Sequence, residues 1–70
     1  MKYLIVIEES DTGYSAYSPD LPGCVAAGAT LAEVSQLMEE AVALHIDAMR
    51  LDGEPIPRPT TTSCYVEVAA

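Results

Sequence analysis

Tryptophan and phenylalanine are absent from this chain, and basic side chains nearly so: Lys2, Arg50 and Arg58 stand against eleven acids, for a net charge of −8. Without the large aromatics, four Tyr and the aliphatic residues must fill the core. At 70 residues the chain is close to the smallest size that buries enough surface to fold alone. Both facts point to a core supplemented by self-association. The shortage of cations excludes a surface that tracks a phosphate backbone, so direct nucleic-acid binding by this chain alone is not expected. An acidic surface attracts a basic protein partner or simply keeps an apolar-rich protein in solution. Charge does not choose between the two.

Cysteine and histidine are scarce as well. Cys24 and Cys64, with His45 as the one histidine, make neither a zinc ligand set nor a dense disulfide framework. Both cysteines read as small buried hydrophobes, because neither has a neighbouring base or helix start to activate a thiolate. No Gly-x-Gly-x-x-Gly and no lysine after the glycines are present, which excludes a phosphate-binding loop, and no cofactor is implied. Long apolar runs are missing too. Tyr3 to Ile7 stops at Glu8 and Glu9, too short for a signal peptide or a membrane span, so a cytoplasmic protein without membrane contact is expected.

What is there reads as β-β-β-α-β, an α+β chain whose antiparallel three-stranded start carries one helix packed on the sheet. Tyr3-Leu-Ile-Val-Ile7 is apolar on both alternate sets, which predicts a central strand covered on both faces. Ser10-Asp11-Thr12-Gly13 is a turn, and Tyr14 to Ser18 a second strand in hairpin with the first. Pro19 to Gly23 cannot continue a ladder, since each proline lacks an amide hydrogen. Cys24-Val-Ala-Ala-Gly28 is a third strand of small residues, leaving room for a close-packed helix.

Thr30-Leu-Ala-Glu33 fits a capping box, in which each end residue's side chain takes the other's amide. The helix then runs to about Leu51. Val34, Leu37, Met38, Ala41, Val42, Leu44, His45, Ala48 and Met49 share one broad face. That arc is wider than one sheet face requires, so Leu44, His45 and Met49 are candidates for an oligomer interface. Gly53 suits the left-handed stop of a helix. Glu54-Pro-Ile-Pro-Arg-Pro59 is a stiff crossover, and Thr60 to Val68 a last strand with Cys64, Val66 and Val68 on one face.

The element order is also how a ribonuclease-H-like fold begins, and metal-dependent nuclease work needs several carboxylates converging on two cations. Glu8 and Glu9 at a strand end, Glu39 and Glu40 on the helix's polar face and Glu67 on the last strand do not promise convergence. His45, alone on an apolar stripe, reads as packing or interface rather than as a base.

Tyr17-Ser-Pro-Asp-Leu-Pro-Gly-Cys24, Gly28-Ala-Thr-Leu-Ala-Glu33, Glu39-Glu40-Ala41 and Gly53-Glu-Pro-Ile-Pro-Arg-Pro59 together resemble the HicB antitoxin family, over nearly the whole chain. The resemblance implies a partial ribonuclease-H-like fold without the nuclease site. It implies a protein that is not an enzyme and that neutralises HicA, a small basic ribonuclease toxin with a double-stranded-RNA-binding-like fold. It also implies dimers or tetramers. The DNA-binding segment that many family members carry has no counterpart here, so residues 1–70 are expected to form a single HicB-like domain without operator binding. On this reading Glu8, Glu9, Asp11, Tyr17 and Asp20 are the candidate partner-binding residues. An orphan interaction module of the same fold and a residual metal-dependent nuclease are the alternatives.

Overall fold

The structure, a computed structural model, describes every residue from Met1 to Ala70. Three strands, β1 (Val6–Ser10), β2 (Gly13–Tyr17) and β3 (Val25–Gly28), precede one helix, α1 (Leu31–Leu51). Both strand pairs are antiparallel, in the order β1-β2-β3, so β2 is the central strand. No helix is long and apolar enough to cross a membrane.

The first strand departs from expectation in place and in rank. It begins at Val6 rather than Tyr3, contains Glu8 and Glu9, and lies at the sheet's edge. The shift has a local cause. β2 stops at Tyr17, opposite Val6, and beyond it the Ser18 hydroxyl takes over by donating to the Leu4 carbonyl at 3.2 Å. The two glutamates are tolerated because a strand end at a sheet edge leaves carboxylates in water. β2 likewise runs one residue earlier than expected, through Gly13, whose missing side chain matters. A Cβ there would collide with the Gly28 carbonyl oxygen across the sheet.

Paired residues of an antiparallel sheet share a face. Ile7, Tyr14, Ala16 and Ala26 therefore look inward, while Val6, Glu8, Ser15, Tyr17, Val25 and Ala27 look outward. The helix lies on the inward face over β2 and β3. Gly28 permits its close approach, since a Cβ there would sit 3.0 Å from the Val34 amide nitrogen. Ala16, Leu21, Cys24, Val34, Met38 and Ile46 form the buried core between the layers.

The helix ends are chemically sealed. Thr30 Oγ1 accepts from the Glu33 amide at 3.1 Å. The reciprocal half of the capping box, from Glu33 back to Thr30, is not made. At the other end Glu54 N donates to Met49 O at 2.9 Å and Gly53 N to Arg50 O at 3.2 Å, with Gly53 at φ +69°. This pair of bonds is the Schellman stop, which needs the left-handed residue that glycine supplies. Within the helix, Val34, Met38 and Ile46 are buried and Ala41, Val42, His45 and Met49 half-buried. Ile46 extends the core-facing arc beyond the residues assigned to it by periodicity, whereas Leu37, Leu44 and Ala48 lie in solvent.

The expected fourth strand is the main discrepancy. Thr60 to Val68 joins no sheet, and no backbone–backbone hydrogen bond involves residues 55–70. Cys64 is accordingly exposed instead of buried, and Tyr65, Val66 and Val68 stand 104%, 79% and 78% exposed. The radius of gyration is 13.8 Å, against about 11 Å for a compact chain of this length.

Only seven residues of 70 are buried, so each core side chain carries a large share of stability. Leu21→Ala is expected to cost about 2–5 kcal/mol, the usual range for emptying a filled apolar site. Gln36→Ala, at a solvent-facing helix position, is expected to stay within ~0.5 kcal/mol of the parent. Urea denaturation of both variants checks the contrast.

Candidate functional site

The residues from Ser18 to Cys24 form a closed turn that fixes the surroundings of Asp20, one of the candidate contacts. Ser18 N donates to Cys24 O at 3.2 Å, Leu21 N to Ser18 O at 3.2 Å and Cys24 N to Leu21 O at 3.1 Å. Pro19 and Pro22 have no amide to satisfy, which lets these few bonds close the turn without orphaned donors. Ser18 is buried, yet its amide, carbonyl and hydroxyl all have partners. Leu21 is driven fully into the core beneath α1. Part of the motif that distinguishes this sequence is thus a hydrophobic plug.

Asp20 points the other way, toward the start of the C-terminal arm. Its Oδ2 accepts from the amides of Thr60 at 3.2 Å and Thr61 at 3.1 Å. Its Oδ1 accepts from the hydroxyls of Thr60 at 3.0 Å and Thr61 at 2.9 Å. The carboxylate that the sequence offers as a partner contact is therefore engaged within the chain. Desolvation pushes its pKa up, but the hydrogen bonds from Thr61 and Thr60 together outweigh that and hold it below the ordinary 3.8. The hydroxyl of Tyr3 donates to the Pro57 carbonyl, pinning the crossover a few residues earlier.

The remaining candidates fall on several surfaces. Glu8 and Tyr17 share the open face of the sheet with Val25, which is 64% exposed, and Tyr17 is 43% exposed. Glu9 belongs to the opposite face, and Asp11 lies in the hairpin turn beyond both. All three acids are exposed. On the helix, Leu44 is 70% exposed while His45 and Met49 are half-buried at the edge of the core-facing arc. Leu37, Leu44 and Leu51 recur every seven residues and form an exposed seam. Sequence periodicity holds that seam, but it does not separate it from the core stripe beside it.

No three of the His, Cys, Asp and Glu side chains come together as a metal-holding group. Glu39 and Glu40 stay on the solvent face of α1. Burial pushes the Cys24 thiol above its ordinary 9.0, which keeps it protonated and poorly nucleophilic.

Three antiparallel strands followed by a helix laid across them make this a small α+β module. The family model described as "HicB_like antitoxin of bacterial toxin-antitoxin system" matches residues 3–69. The chain belongs to the HicB-like antitoxin family. It is 39% identical over 66 residues to an uncharacterized 14.9 kDa protein in the rep-hol intergenic region of Haemophilus phage HP1, an overlap of 94% of this chain and 50% of the relative. It is 31% identical over 71 residues to antitoxin HicB 2 of Photorhabdus laumondii, across 100% of this chain and 51% of that protein. The chain thus spans about half the length of these two relatives. Among solved structures, a chain of the HicA3 and HicB3 toxin-antitoxin complex superimposes with a TM-score of 0.73 at 42% identity, covering 86% of this chain and 70% of that one.

The Asp20 clamp has a defined pH signature. A carboxylate whose folded-state pKa lies below its unfolded value stabilises the fold above that unfolded value and loses the contribution as pH falls through the folded one. Asp20→Ala is expected to speed hydrogen exchange at the Thr60 and Thr61 amides and to flatten the loss of stability on acidification below 3.8. NMR exchange rates and acid titrations of parent and variant read both effects.

Proposed function

We propose that this chain is an antitoxin that binds and neutralises a small basic ribonuclease toxin of the HicA type by covering its active site and RNA-binding surface. It acts by binding in the cytoplasm, not by catalysis, and uses a partial ribonuclease-H-like scaffold as a docking platform. The observation that carries the reading is the 42% identical match to a chain of a HicA3 and HicB3 toxin-antitoxin complex. The charge pattern supports it. Glu8, Glu9 and Asp11 project from one hairpin of a chain with net charge −8 and face no equal number of cations. A basic toxin surface is drawn to such a hairpin, and Tyr17 beside Glu8 offers an aromatic anchor of the kind favoured at interface centres. The chain also self-associates, to a dimer or a tetramer, and the exposed Leu44 with the adjoining His45 and Met49 is the candidate contact on the helix.

The test is a mixture of the full chain with the HicA-type toxin encoded beside its gene. A complex that blocks RNA cleavage and weakens with salt is expected. Glu8→Lys combined with Asp11→Lys is expected to slow association roughly tenfold at low ionic strength, with the helical circular dichroism unchanged. No complex at low salt overturns the reading. Absence of any such toxin gene favours the orphan interaction module.

A further inference from the structure

Two incomplete features of this molecule lie on the same side of it. The first is the arm beyond Thr62, whose residues make no hydrogen bond and whose Tyr65, Val66 and Val68 are almost wholly exposed. Its alternation of Cys64, Val66 and Val68 against Tyr65 and Glu67 is that of a strand with one apolar face. The second is the free edge of β1. β1 pairs with β2 alone, so its other edge carries no strand, and the run leading into it, Tyr3 to Ile7, is apolar on both sets, the pattern of a strand covered on both faces. Beside that edge the helix leaves a groove of about 340 Å³, lined chiefly by Tyr3, Ile5, Met38 and Val42. The opposite edge, β3, is a poorer template: it has four residues and is rich in Ala and Gly.

We propose that the arm of one copy adds as a fourth strand to the β1 edge of a second copy, laying Val66 and Val68 over that groove, and that the second copy returns the exchange. The arm's root is fixed for this. Asp20 holds Thr60 and Thr61, and Thr61 and Thr62 lie beside Lys2 and Leu4 at the start of the β1 edge. From there residues 62–70 reach about 30 Å if extended, away from their own core. An exchanged element satisfies both open edges with one two-fold contact and leaves no strand unpaired on that side. The leucine seam of α1 lies on the helix flank away from this groove and takes no part. The inference rests on the self-association proposed above, places its contact at the arm instead of at Leu44, His45 and Met49, and is independent of toxin binding.

Sedimentation equilibrium of the full chain is expected to give a mass near twice 7.4 kDa. Val66→Asp with Val68→Asp, and separately Val66→Pro, are expected to halve that mass while the helical signal stays. Hydrogen exchange is expected to show the β1 amides protected in the parent and unprotected in both variants. A monomeric parent overturns the proposal, whether or not its β1 amides are protected by its own arm. So does a dimer with unprotected β1 amides, which signifies arm-to-arm pairing, or a dimer lost only on Leu44→Glu, which signifies the helix seam. Toxin binding measured on the same variants stands apart: its retention in a monomer leaves the antitoxin reading intact.

Discussion

The closed turn from Ser18 to Cys24 is the constraint on which the other parts rest. One short segment ties four things together. Ser18 holds the N-terminal segment at Leu4, Leu21 fills the space under α1, the Cys24 pairing opens β3, and Asp20 holds the start of the arm. A small core tolerates little slack, and two prolines limit the conformations the turn can sample. Remove the plug and both layers lose their common anchor.

This arrangement explains why a segment without chemistry is the most distinctive in the chain. Its residue types answer to geometry: prolines where no amide is wanted, a glycine at φ +84° where the backbone turns left, a leucine aimed inward. Around it the chain keeps its polar groups for surfaces. The outward face of the sheet presents Glu8, Ser15, Tyr17 and Val25, a mixture of charge, hydroxyl and apolar area that suits recognition better than catalysis.

Much of the architecture was legible in the residues. Local signals carried it: the capped start at Thr30, the Gly53 stop, the hairpin at Asp11 and the strand before Gly28 all lie where propensity and turn chemistry put them. What stayed illegible was non-local. The Asp20 bonds to Thr60 and Thr61 join residues far apart in sequence, so no window of periodicity contains them. The same holds for the final strand: Thr60 to Val68 has strand composition, but composition does not name a partner, and within one chain there is none. The apolar arc of the helix is wider than its contact with the sheet, and only packing separates Ile46 in the core from Leu44 outside it.

The fixed root of the arm has an entropic consequence. Ordering a residue's backbone costs about 1–2 kcal/mol, and a tail hanging free from the helix end would have to meet that cost for every residue from Glu54 onward. Here the Schellman stop, the tyrosine pin at Pro57 and the carboxylate clamp have already ordered the chain as far as Thr61. Whatever surface the arm meets has only residues 62–70 left to immobilise, so a short strand with modest side chains can hold where a longer free tail would not.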